Sequence, residues 1–539
     1  MDGWSRAAAC GKLLVALYVL HKLPRLLRYW PARPLGPRAL APGGAGPPFL
    51  RWSACRLAEA IRRRELTAEQ VVDAFIQRLQ DVDVHLNALV AERFDAARQQ
   101  AREVDRRIAS EKGELPPFLG VPIVVKEAFE YPGFPYTNGL LSRKGRLGVK
   151  AGYAVQRVEA AGFLVLATTN ISEACMWMES YNLVYGRVAS PFGSHLSPGG
   201  SSGGSAALVA ALGVPVGLTA DIGGSTRIPA LLNGLFGHKP TGGIIPNHGT
   251  HLEEFHGAVC RICQMGAVAR HAEDLAPLLR IMAGPPSPEA RLAHEYRACP
   301  AWRGLEPELG SMTVGSLSFR GGLPSAQELM ISSVGKGQQR AQQRVIHWLE
   351  TQGCKIQPLF FEDLAVGEWF DCWSTRVQGA GTARFREVLC QSKDCFGPAE
   401  VLRYLAGYSP HTFPALGLAF LEDLVESFSP PMEQRLARAQ QLEDLLRSQL
   451  AQCQVLIMPT LPRHGLVHDE PLLRVLDSCF TSIWNAMEFP STAVPVGLHQ
   501  GAPVGVQIVS LPGHDELTIG VARALAAAGV AQCVAPDEA

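Results

Sequence analysis

The sequence predicts an α/β fold built as one large domain. Short apolar runs such as Phe163-Leu164-Val165-Leu166-Ala167 read as strands and alternate with helical patterns. One helix carries its own start signal: Thr67 and Gln70 fit a capping box, and Val72, Phe75, Ile76 and Leu79 form an i, i+3, i+4, i+7 stripe. The 539 residues exceed the usual length of one domain, yet no linker divides the interior and no internal repeat is visible.

Ala7 to Leu20 is mostly apolar but is interrupted by Lys12. It is short against the ~20 apolar residues that a spanning helix needs. A signal peptide is the rival reading, but His21-Lys22-Leu23-Pro24-Arg25 follows with no small-residue cleavage pattern. The expectation is an uncleaved membrane-anchor helix, spanning or interfacial, within residues 1–30. Lys22, Arg25, Arg28 and Arg33 would mark its polar edge. The positive-inside rule would put the remainder in the cytosol, but so marginal a span leaves the orientation open. Residues 31–48 are rich in Pro, Gly, Ala and Arg and read as a linker, leaving 49–539 as the domain.

Phe118 to Val125 reads as a buried strand despite Pro122, and Lys126 follows it. A lone lysine is ordinarily a surface charge. At the end of a buried strand it can be desolvated, which lowers its pKa, and only a neutral lysine accepts a proton.

The most informative stretch is Gly199 to Arg227. Gly199-Gly200-Ser201-Ser202-Gly203-Gly204 is followed by a small-residue helix, Ser205 to Leu212, and an apolar strand, Val214 to Thr219. Then comes a second glycine-serine turn, Asp221-Ile222-Gly223-Gly224-Ser225-Thr226-Arg227. Glycine permits positive φ and close approach of backbone to a ligand. A serine in such a turn offers a hydroxyl among unpaired backbone N–H groups, which suits acyl transfer. A flexible linker is the bland alternative, but a linker is not built into a helix–strand unit and then repeated.

Gly199 to Gly203 also fits the G-x-S-x-G elbow, which would make Ser201 the acylated residue. That motif needs a strand before it, and Ala189 to Pro198 reads as loop. Cys260-Arg261-Ile262-Cys263 is a lone C-x-x-C and reads as structural, because a zinc site needs a second ligand pair. Asp221 and Arg227 read as an ion pair or loop support. Cys175 reads as packing and His238 as structural support. Phe413 to Phe428 is amphipathic, with Glu422, Asp423 and Glu426 opposite its apolar set. It is read as a core-facing helix, with a membrane-facing role as the rival.

These turns, together with Gly120-Val121-Pro122-Ile123-Val124-Val125-Lys126-Glu127, Thr169-Asn170 and Gly237-His238-Lys239-Pro240, make the chain resemble the amidase signature family. Met458-Pro459-Thr460, Pro495-Val496-Gly497 and Gly505-Val506-Gln507 extend the resemblance, which runs from about Leu57 to Val530 and is strongest to the membrane-anchored fatty-acid amide hydrolases. The resemblance implies a mixed, twisted central sheet covered by helices on both faces. It implies a Ser–Ser–Lys triad in which Ser225 is the nucleophile, Ser201 the bridging serine and Lys126 the base. It also implies a cis peptide bond at Gly200–Ser201 and an oxyanion hole from the backbone N–H groups of Ile222, Gly223, Gly224 and Ser225. No cofactor or metal is implied. The chain departs from the family pattern at Glu127, Thr226 and Ser205, changes that bear on substrate range more than on activity.

Fifty basic and 50 acidic residues give a formal net charge of zero, which offers no support for nucleic-acid binding. Thirteen scattered cysteines, an odd number, read as reduced thiols. The resemblance implies hydrolysis of primary fatty-acid amides and N-acylethanolamines to a fatty acid and ammonia or an amine. The expected partners are a lipid amide substrate and a membrane, of the endoplasmic reticulum or a lipid droplet, with a homodimer left open. The rivals are an amidase for small polar amides, a non-catalytic membrane lipid-binding protein, and an amidotransferase subunit.

Overall fold

In the computed structural model, residues 46–110, 113–250, 257–284, 306–318, 331–381, 383–390 and 398–536 are described. The expected anchor at 1–30, its flanking basic residues and most of the 31–48 linker lie outside them.

The strands are β1 (Leu89–Glu92), β2 (Pro122–Lys126), β3 (Leu164–Thr169), β4 (Tyr181–Asn182), β5 (Gly186–Arg187), β6 (Val216–Asp221), β7 (Phe236–Lys239), β8 (Gln264–Ala269), β9 (Thr313–Ser318), β10 (Lys355–Phe360), β11 (Val455–Pro459), β12 (Ser491–His499) and β13 (Ala502–Val509). Eleven of them form one sheet in the order β1-β3-β2-β6-β8-β7-β12-β13-β11-β9-β10, and β4 and β5 pair separately. The sheet is mixed: β2 runs parallel to β3 and β6, and β9 to β10 and β11, while the remaining neighbours are antiparallel. Its central strands are buried almost throughout, which is why they read as continuous apolar runs.

The helices that bear on the site are α1 (Ala68–Leu86), α2 (Gly203–Ala210), α3 (Arg227–Leu232), α4 (Trp369–Gly379), α5 (Phe413–Phe428) and α6 (Cys479–Ala486). Helix α1 starts as its sequence signals. Thr67 Oγ1 accepts from Gln70 N and Gln70 Oε1 accepts from Thr67 N, and Val72, Phe75, Ile76 and Leu79 are fully buried. The strand expected from Phe118 begins only at Pro122. Phe118 to Val121 turn instead, because Gly120 sits at φ +88°, where a Cβ would come 2.9 Å from that of Ala68. Pro122 then opens the strand, a position that tolerates its missing N–H.

Helix α5 matches the amphipathic segment and is core-facing. Ala415 and Ala419 pack with Leu140, Ala174, Val388 and Leu389. The side chains at 423–425 and 428 lie outside the described ones. Among the described residues no helix is long and apolar enough to cross a membrane. Nine described cysteines are free thiols, including Cys260 and Cys263, whereas Cys390 is disulfide-bonded.

Candidate active site

Strand β2 is buried along its whole length and ends in Lys126, which is itself fully buried. Its Nζ donates to Ser201 Oγ at 2.7 Å and to the Ala220 carbonyl at 3.3 Å. The Gly200–Ser201 peptide bond is cis. Only glycine fits at position 200, where a Cβ would lie 2.5 Å from Trp177 O and 2.6 Å from Glu179 N. Ser180 Oγ accepts from Gly203 N at 2.8 Å and ties the turn to the start of α2. Ala189 to Pro198 holds only isolated bridges, so no strand precedes Ser201 and the elbow geometry is not met.

The second serine turn joins β6 to α3. It lies against the first, because a Cβ at Gly199 would sit 3.0 Å from Pro229 Cα on α3. Lys126 and Ser201 are fully buried and Ser225 is 8% exposed, so Ser225 is the member of the three that a ligand can reach. The structure joins Lys126 to Ser201 directly, but among the described residues Ser225 Oγ makes no hydrogen bond.

Asp221 and Arg227 close this turn from within the core. Both are fully buried and paired through two hydrogen bonds of 3.0 Å. Burial pushes the Asp221 carboxyl up, but the Arg227 charge outweighs it, and the pKa falls to about 2. The carboxylate also accepts from Gly224 N at 2.6 Å and Thr226 N at 3.1 Å. The expected oxyanion set is therefore divided. Gly224 N–H is turned to Asp221, while those of Ile222, Gly223 and Ser225 have no partner among the described residues. Arg227 continues to Asn485 Oδ1 and to Gln507 Oε1, which explains why Gly505-Val506-Gln507 belongs with motifs far upstream.

Three of the turn's supports carry no sequence motif. Asn485 Nδ2 donates to Asp221 O at 2.8 Å, Trp373 Nε1 to Ile222 O at 2.8 Å, and Thr481 Oγ1 to Gly223 O at 2.7 Å. Glu127 accepts from Thr137 and Tyr185, yet burial pushes its carboxyl up to about 7. Cys175 packs with Ala128 and Ile171 within hydrogen-bonding reach of Ser201 and Lys126, and burial raises its thiol. A buried thiol of raised pKa is a packing group, as expected, and not a nucleophile. His238 bridges Thr492 and Asp515, a structural role.

A cavity of about 190 Å³ opens beside the second turn. Ile222, Met176, Val377, Val388 and Met432 give it apolar walls, and Arg384, Glu422 and Glu426 lie at its polar part. Arg384 pairs with Glu426 at 2.9 Å.

Gly224 has φ +130°, and a Cβ there would lie 2.2 Å from Thr481 Oγ1. Gly224→Ala is therefore expected to displace the turn and to lower Tm as well as kcat. The strain should cost ~1–3 kcal/mol, and a melting curve matching wild type would refute this reading.

A family model described as Amidase matches residues 70–519, and this α/β protein is an amide hydrolase. The chain belongs to the amidase signature family. It is 36% identical over 491 residues to fatty-acid amide hydrolase 2-A of Danio rerio, covering 88% of each chain. It is 32% identical over 492 residues to fatty-acid amide hydrolase 2 of Homo sapiens, covering 89% of each. Among solved structures, one titled fatty acid amide hydrolase aligns with a TM-score of 0.71 at 21% identity, over 93% of this chain and 88% of that one. That last likeness speaks for the fold alone.

Proposed function

We propose that this enzyme hydrolyses fatty-acid amides through an acyl-enzyme on Ser225. The observation that carries the reading is the 2.7 Å contact between two wholly buried groups, Lys126 Nζ and Ser201 Oγ, on a turn that packs against the Ser225 turn. Ser225 Oγ attacks the amide carbonyl carbon and passes its proton to Ser201 Oγ, whose own proton moves to Lys126 Nζ. The oxyanion rests on the free N–H groups of Ile222, Gly223 and Ser225. The C–N bond then breaks, and the amine leaves with the proton returned through Ser201. Water next attacks the ester, releases the fatty acid and restores Ser225. Ser225 Oγ, unbonded among the described residues, would meet Ser201 Oγ only once the carbonyl is engaged.

The apolar walls beside Ile222 and the two fatty-acid amide hydrolase relatives support a lipid acyl group over a small polar one. Membrane association rests on the expected anchor and on Leu402, Leu405 and Tyr408. These are 67%, 66% and 82% exposed in the segment just before α5, whose Glu422 lies at the cavity.

The test is labelling with a fluorophosphonate and mapping of the modified residue by mass spectrometry. Modification is expected at Ser225, absent in Ser225→Ala and slowed in Lys126→Ala. Modification at Ser201 would transfer the nucleophile's role there, and no labelling of folded protein would favour a non-catalytic binder. The dependence of kcat/KM on acyl length separates lipid amides, where it rises, from small polar ones, where it does not.

A further inference from the structure

A peptide unit is planar and trans, so fixing the carbonyl of one residue aims the N–H of the next in the opposite direction. The four peptide units from Asp221 to Ser225 are fixed in this way. Asn485 holds the Asp221 carbonyl and so aims Ile222 N–H, and Trp373 holds the Ile222 carbonyl and so aims Gly223 N–H. Thr481 holds the Gly223 carbonyl, aiming Gly224 N–H at Asp221. Ile228 N holds the Gly224 carbonyl at 2.7 Å and so aims Ser225 N–H.

Trp373 differs from the other holders in where its helix leads. It lies on α4, and Val377 and Gln378, about one turn later on the same helix, line the cavity. Ile222, whose carbonyl takes the indole hydrogen bond, lines the same cavity. The indole also packs on the turn, since a Cβ at Gly223 would lie 3.3 Å from Trp373 Cζ2. Helix α4 is anchored on α6, which carries Thr481 and Asn485, by an edge-to-face Trp369–Trp484 contact, 5.3 Å between centroids and 67° between planes. One helix thus meets both the space open to a substrate chain and the backbone that would hold its oxyanion.

We propose that Trp373 is a positioning residue that couples an acyl chain in the cavity to the aim of the Gly223 N–H, so that chain binding is expressed in kcat. The proposal deepens the reading above and rests on it. Binding energy from a non-reacting chain raises kcat only where it is realised in the transition state, and a helix shared by cavity and oxyanion donors supplies that route.

The test uses the full-length enzyme with two replacements, Trp373→Phe and Trp373→benzothienylalanine, the second keeping the ring's shape and removing only its N–H. kcat and KM are measured on primary amides of increasing chain length. Deleting an oxyanion donor outright costs ~10²–10³ in rate, and loosening the aim of one should cost about tenfold. The expected result is that wild-type kcat rises with chain length. Both variants should lose about tenfold in kcat on the longest amide with KM nearly unchanged, and their kcat should flatten across the series. A benzothienylalanine enzyme with wild-type kcat, or a loss confined to KM, overturns the proposal while leaving the amidase reading intact. A folded wild type that turns over no fatty amide and takes no label at Ser225 overturns both.

Discussion

Lys126→Met is expected to lower kcat on a fatty amide by about 10²–10⁴-fold, the usual contribution of a positioned general base. Methionine keeps most of the stem's volume in the buried site but can neither accept the serine proton nor donate to Ala220. Ser201 Oγ would lose the partner it has at 2.7 Å, and Ser225 would have no route for its proton. The fold should survive, because the exchange removes a buried polar group without leaving an opposite charge behind. The measurement is ammonia release under saturating substrate, with thermal unfolding as the control. A folded variant within tenfold of wild type would mean that Lys126 is not the base, since that lies below the ~10²–10⁴ range for such a group.

Asp221→Asn should have the largest effect on stability. It leaves the fully buried Arg227 without its counter-charge and sets an amide against backbone N–H groups that now meet a carboxylate. Removing one partner of a buried pair costs about 3–5 kcal/mol. The wild-type dependence on pH follows from the sign of the shift. The folded carboxyl is lowered from an ordinary 3.8 to about 2, so the unfolded chain takes up the proton first as pH falls. The stabilisation is complete above the unfolded value and is lost between about pH 4 and pH 2. Urea midpoints should therefore differ widely between wild type and variant near neutrality and converge in acid. A gap that stays constant with pH would deny the ion pair its role.

The parts of this molecule that were legible in its sequence are those whose residues are consecutive. The capping box at Thr67, the buried end of β2 at Lys126 and both serine turns each declare themselves within a few residues. Boundaries slipped where a local conformation overrode the pattern. The helix after Ser201 runs from Gly203 to Ala210, and the strand after it starts at Val216 and not Val214. Trp373, Thr481 and Asn485 were not legible at all. Each is an unremarked residue on a helix whose apolar neighbours explain its presence as core, and only the assembled fold brings α4 and α6 onto the turn. The division within the expected oxyanion set was hidden for a similar reason. Which N–H of a glycine turn is spent internally depends on where the Asp221 oxygens point, and sequence spacing does not carry that.

The order of the sheet bears on how this protein is made. Strands β12 and β13 follow every other described strand of the sheet in the sequence, yet they lie between β7 and β11 within it. Until about residue 509 has left the ribosome, the group of six strands on the β7 side and the group of three on the β11 side lack the pair that joins them. Each ends in an open strand edge of the kind that invites intermolecular pairing. Gln507, which Arg227 requires, arrives in the same final stretch. Before those strands emerge the polypeptide has neither a completed sheet nor a braced Ser225 turn. A message truncated before the codons of β13 encodes two exposed strand edges and a Ser225 turn that lacks Gln507.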